Sequence, residues 1–165
     1  MTENHKKDGG DEMLPIKKIL CPTDFSDPSY GALKTANELA IHFSAELIVV
    51  HAVSPIPVIP PSAAPTEFAE FNIPSYQLEM EAMAEKTLDE IVKKKISQDV
   101  NSRCFVVQGD PTNEIVRIAA DENVDMIVIA THGLTGWRRV IFGSVAGKVI
   151  RLAPCPVLSL QIKPE

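Results

Sequence analysis

The stretch MIVIATHGLTGWRRVIFGSVAGKVIRL, residues 126–152, decides the fold. It opens on Met126 to Ile129, a short β-branched run that predicts a buried strand, and closes on Val145 to Leu152, which predicts a helix. Between them lies the glycine-bearing loop Ala130 to Ser144. The N–H groups of such a loop and of the helix's first turn have no intrahelical partners, and the positive end of the helix dipole faces them. A strand, a glycine loop and a helix in this order therefore predict an anion site.

Working outward, the same alternation fills the chain. Upstream, Ile16 to Cys21 predicts a strand that ends at Pro22-Thr23-Asp24, and Asp27-Pro28 predicts a helix start with Asp at N-cap and Pro at N1. Tyr30, Leu33, Ala36, Leu39, Ala40 and Phe43 then recur at helical spacing. Leu47 to Val53 is a nearly continuous apolar run of the kind covered on both faces in a parallel sheet. The prolines from Pro55 to Pro74 predict a long loop over residues 54–75. Helical periodicity resumes from Tyr76 to Ile96 through Met80, Met83, Ala84, Leu88, Ile91 and Val92, with acids early and Lys93, Lys94 and Lys95 late, in the sense of the dipole.

Cys104 to Val107 predicts the third strand. Asp110-Pro111 starts a helix whose buried face is Ile115, Ile118 and Ala119, and Val157 to Leu160 predicts the last strand after Ala153-Pro154-Cys155-Pro156. Strands and helices alternating in this way make a doubly wound five-stranded parallel sheet with helices on both faces, with 3-2-1-4-5 as the usual strand order. Residues 1–14 are expected to be a disordered tail and residues 15–165 one domain.

The 165 residues, 45% hydrophobic and 23% charged, are enough for one ordinary core. A net charge of -6 argues against a general nucleic-acid binder, which needs a basic face to release counterions. Cys21, Cys104 and Cys155 are scattered, with no C-x-x-C pair, and point to reduced thiols, with Cys21 and Cys104 packed in strands. No apolar run approaches membrane-spanning length and no signal-peptide core opens the chain, so the expected location is cytoplasmic.

In an open doubly wound sheet, ligands bind beyond the carboxyl ends of the strands where the strand order reverses. That crevice lies between strands one and four, where Pro22-Thr23-Asp24 faces the Ala130 to Ser144 loop and Ala52-Val53 shares the rim. His132 sits in the loop, whereas His51 fits a hydrogen-bonded structural histidine better than a ligand. Trp137, Arg138 and Arg139 fit a solvated segment or a partner contact better than a phosphate contact. Gly143 to Val149 imitates a P-loop, but its glycines are one residue too close and no Ser or Thr follows Lys148 to hold magnesium. The first turn lacks G-x-G-x-x-G, there is no G-x-S-x-G elbow, and the four histidines have no metal-ligand spacing. No metal residues and no catalytic residues are expected.

From Ile16 to Ile162 the chain resembles the universal stress protein family. Nucleotide-binding members carry G-x2-G-x9-G-[ST] after the fourth strand, and Ala130-x2-Gly133-x9-Gly143-Ser144 has that spacing with alanine at the first glycine. Pro22 to Ser26, Gly109-Asp110-Pro111 with Glu114-Ile115, and Pro154 to Val157 also match the family's marks. The resemblance implies a Rossmann-like or flavodoxin-like three-layer sandwich, paired into a homodimer through the C-terminal strand Val157 to Leu160. It implies ATP, with or without magnesium, bound by Pro22, Thr23 and Asp24 at the adenosine, Ala52 and Val53 at the adenine, and Ala130 at the ribose. Gly133, Gly143, Ser144 and Val145 would hold the phosphates, and Thr131 and His132 would belong to the same nucleotide site. A dimeric, nucleotide-dependent stress regulator that is not an enzyme is the function implied. A slow ATP hydrolase and a dimeric interaction module that binds no nucleotide are the alternatives.

Overall fold

The computed structural model describes residues 15–56, 73–131 and 143–162. The expected tail, the central part of the Pro-rich loop, and His132, Gly133, Gly136, Trp137, Arg138 and Arg139 lie outside the described residues. Strands β1 (Lys18–Pro22), β2 (Glu46–Val53), β3 (Ser102–Gln108), β4 (Met126–Ala130) and β5 (Val157–Leu160) alternate with helices α1 (Asp27–Phe43), α2 (Ile73–Lys95), α3 (Pro111–Asp121) and α4 (Ser144–Leu152). The strands form one sheet in the order β3-β2-β1-β4-β5, the expected 3-2-1-4-5, and every pairing is parallel.

Side chains alternate across a strand, so each central strand feeds two cores. Ile19, Cys21, Leu47, Val49, Val128 and Ala130 pack with Leu33, Ala36, Leu88 and Ile91 of α1 and α2. Leu20, Ile48, Val50, Ile127 and Ile129 pack on the other face with Ile115 and Ile118 of α3 and Ala146 and Val149 of α4. This is the physical reason the runs in β1, β2 and β4 are continuously apolar: neither face meets water. Truncating a fully buried side chain such as Leu33 or Leu47 to alanine typically costs ~2–5 kcal/mol.

The elements depart from the sequence expectations in five places. α1 is capped by Ser26, whose side chain accepts from the Ser29 N–H, so Asp27 and Pro28 are its first two residues. α2 begins at Ile73, so the loop does not extend to residue 75; Pro74 sits in the first turn, where its missing N–H has no helical acceptor to lose. Met80 and Met83 of α2 are exposed rather than core-facing. At 100° per residue they lie about 50° and 110° from the centre of the stripe of Gln77, Ala84, Leu88 and Ile91 that meets the sheet. The first turn of α2 also carries no acid, so only its lysine-rich end matches the dipole. Cys21 is fully buried as expected, and burial pushes its thiol up to about 12. Cys104, on the edge strand β3, is only half-buried, with its Sγ directed to Asp89.

Candidate functional site

At the carboxyl ends of β1 and β4 the two strands diverge and leave a cavity of about 420 Å³, within the range of small-molecule sites. One wall is the turn after β1. The Thr23 N–H prolongs the sheet by donating to Val50 O at 2.9 Å, and the chain then leaves the ladder. The turn's polar groups are joined in a relay. Thr23 Oγ1 accepts from the Phe25 N–H at 3.1 Å and bonds Ser29 Oγ at 2.9 Å, and Ser29 Oγ donates to Ser26 O at 2.8 Å. Asp24 Oδ1 accepts from both the N–H and the hydroxyl of Ser26. Asp24 therefore both supports the α1 cap and lines the cavity.

The opposite wall is the end of β4 and the start of α4. Thr131 N donates to Leu160 O at 2.9 Å, extending the β4–β5 ladder, while Thr131 O accepts from the Gly143 N–H. That second bond ties the start of α4 to the end of β4, and Ser144 and Ala130 line the same cavity. Gly143 is the N-cap of α4 and has no side chain with which to cap it. The starts of α1 and α3 also reach the cavity through Ser29, Pro111 and Ile115, but these helices are capped by Ser26 and by Asp110, whose Oδ1 accepts from Asn113 N. Of the three helix starts here, α4 alone has its first-turn N–H groups capped by no described side chain.

The back of the cavity comes from β2. Ala52 lines it, whereas Val53 does not: Val53 is buried and its carbonyl accepts from the Gly109 N–H at 3.0 Å. His51 also lines it, with Nδ1 2.8 Å from Thr23 O and its ring stacked 4.0 Å from that of Phe25. The structure thus brings together Pro22, Thr23, Asp24, Ala52, Ala130, Thr131, Gly143, Ser144 and Val145 around one space and leaves Val53 behind it. Ser29, Val50, Ser54, Pro111, Ile115 and Ile129 line it without having been expected. The positions of Ser29 and Ile115 one turn into their helices were the available signal, because helix starts crowd the carboxyl end of a parallel sheet.

Among the described lining residues Asp24 is the one carboxylate and His51 the one basic side chain, and neither Lys nor Arg contributes. Among the described residues, attraction for an anion accordingly rests on backbone N–H groups, worth ~0.3–2 kcal/mol for a helix terminus, and on the Ser144 hydroxyl, because the Thr131 hydroxyl is donated to Leu160 O at 3.3 Å. Among the described residues no group of three His, Cys, Asp or Glu could hold a metal ion, and no helix is long and apolar enough to cross a membrane.

These features define a doubly wound parallel α/β protein with a crevice at its switch point and an open helix terminus on one side. A sequence model of the universal stress protein family matches residues 15–160, and the chain belongs to that family. Universal stress protein MJ0531 of Methanocaldococcus jannaschii is 37% identical over 152 residues, spanning 90% of this chain and 84% of that protein. The solved structure of MJ0577 from the same organism has a TM-score of 0.74 and 30% identity, over 91% of this chain and 99% of that one. A universal stress protein from Archaeoglobus fulgidus, solved in complex with dAMP, shares the fold with a TM-score of 0.58 and 22% identity, over 89% of this chain and 98% of that one.

Proposed function

We propose that the cavity binds ATP and that the protein is a dimeric, nucleotide-dependent stress-response regulator rather than an enzyme. The observation that carries the reading is the start of α4: first-turn N–H groups capped by no described side chain, at the edge of a cavity whose other helix starts are already capped. In this reading Gly143, Ser144 and Val145 take the phosphates, together with Thr131, His132 and Gly133 of the loop. Pro22, Thr23 and Asp24 take the adenosine, with the backbone of Ala52 at the base, Val53 supporting it from behind, and Ala130 at the ribose. The residues fit the group: the turn supplies a carboxylate for hydroxyl or amine donors, and the opposite wall supplies donors for phosphate oxygens. The dAMP complex of the Archaeoglobus fulgidus relative gives the same fold an adenine nucleotide to hold. Dimerisation is assigned to the open edge of β5.

Calorimetry with ATP, ADP and AMP, with and without magnesium, tests the proposal alongside mass spectrometry of nucleotide carried through purification. One saturable site per chain without sustained phosphate release is expected. No saturable binding of any of the three would favour the interaction-module alternative, and sustained phosphate release would favour the hydrolase.

A further inference from the structure

His51 is not spent on packing alone. Its ring has two defined partners: the carbonyl of Thr23, 2.8 Å from Nδ1, and the ring of Phe25, stacked at 4.0 Å with the planes 20° apart. A carbonyl oxygen only accepts, so Nδ1 carries the hydrogen and donates it. Both partners belong to one short turn, and Asp24 lies between them. Phe25 has φ 64°, a left-handed conformation that costs a bulky residue free energy and persists only where the surroundings hold it. Three contacts hold it here: the His51 donor on Thr23 O, the Thr23 hydroxyl on the Phe25 N–H, and the aromatic stack.

We infer that His51 is the positioning residue of the nucleotide site: through its Nδ1–H bond to Thr23 and its stack on Phe25 it holds the Thr23–Phe25 turn in the conformation that presents Asp24 to the cavity. The ligand part of this inference rests on the nucleotide reading given above, whereas the turn part does not. His51 sits on β2, an interior strand paired on both sides, and reaches across to the end of β1. The turn is thereby registered to the strand that also supplies Ala52 to the cavity. The imidazole thus adds a side-chain tie between two walls of the site to the backbone bond from Thr23 N to Val50 O.

Asparagine separates this role from simple space-filling, because its Nδ2–H2 stands about where the histidine Nδ1–H does, while phenylalanine keeps the ring and loses the donor. Three readouts apply to the wild type, His51→Asn and His51→Phe. In the wild type, ¹⁵N spectra of the imidazole should show the Nδ1–H tautomer; the Nε2–H tautomer would overturn the inference. Hydrogen exchange at the Phe25 and Ser26 amides, in protein without nucleotide, should be slow in the wild type, about tenfold faster in His51→Phe, the usual effect of one lost bond, and closer to the wild type in His51→Asn, which keeps the donor and gives up the stack. AMP and ATP affinity should follow the same order, falling about tenfold in His51→Phe and recovering in His51→Asn. Unchanged exchange and affinity in His51→Phe would overturn the role. If the wild type binds neither AMP nor ATP while exchange follows the predicted order, the nucleotide reading fails and the positioning of the turn by His51 stands.

Discussion

A methyl group at Gly109 would land 2.8 Å from Cγ of Glu114, and the backbone there has φ +152°, which side-chain-bearing residues rarely adopt. The N–H of Gly109 also donates to Val53 O, tying the β3 end to β2 directly behind the cavity. Gly109→Ala is expected to destabilise the protein by ~1–3 kcal/mol, read as a lower urea midpoint with an unchanged slope. Gly143 has the opposite character. It is an N-cap in extended backbone, φ -61° and ψ 160°, which any residue can adopt. Gly143→Asp should cap α4, leaving stability unchanged or raised by a few tenths of a kcal/mol. The same carboxylate would occupy the N–H groups assigned to phosphate and repel the ligand. Thermal unfolding and calorimetry on one sample should therefore show an intact fold that has lost ATP, and retained affinity would remove the α4 start from the site.

β5 is the element on which the proposed dimer rests. Ile127 N and Thr131 N of the β4 side donate to Pro156 O and Leu160 O, so the alternation of a parallel ladder turns the N–H and C=O of Ser159 away from β4 toward the open edge. Ser159→Pro removes an outward donor and leaves the inner ladder intact, a substitution that edge strands tolerate. Sedimentation should show a dimer for the wild type and a monomer of unchanged helix content for the variant. A dimeric Ser159→Pro protein would move the interface elsewhere. Elements were also where the sequence was most and least legible. β5 runs over the residues its apolar run indicates, and Asp110-Pro111 starts α3 as its spacing implies, with Asp110 as the cap. The similar Asp27-Pro28 does not behave in the same way, because Asp24 holds Ser26 in extended backbone and lets it cap first. That is a tertiary relay invisible to a local motif. Met80 and Met83 mislead for another reason: apolar spacing fixes a helix but not how wide a stripe of it the sheet can cover. At the site, the glycine spacing located the α4 wall and the switch-point rule located Asp24, whereas the bond from His51 to Thr23 joins residues whose proximity comes only from strand pairing.

Across the whole molecule, the end of the sheet opposite the cavity is held by charge. Arg103 of β3 donates to Glu122 at 2.6 Å and to Glu46, and Lys18 donates to the Glu122 carbonyl at 2.7 Å. The bond from Arg103 holds the Glu122 carboxyl below the usual carboxylate range. With the folded carboxyl titrating lower than the unfolded one, the unfolded chain binds more protons in that window, and stability is lost as pH falls through it. Urea midpoints should drop as pH is lowered below about 5, and Arg103→Met should flatten that dependence. An unchanged slope in the variant would assign acid sensitivity to other carboxylates. This cluster and the cavity occupy opposite ends of the strands, so acid destabilisation and ligand binding are separable.

The central claim is that the space between the β1 turn and the start of α4 is a nucleotide site. Titration of ¹⁵N-labelled protein with ATP, followed amide by amide, tests it most directly. Saturable shifts at Thr23, Asp24, Ala52 and Ser144 to Ala146, with β3 and the Arg103 cluster unmoved, are the predicted result. Saturation without shifts at Ser144 to Ala146, or no shifts at all, would contradict it.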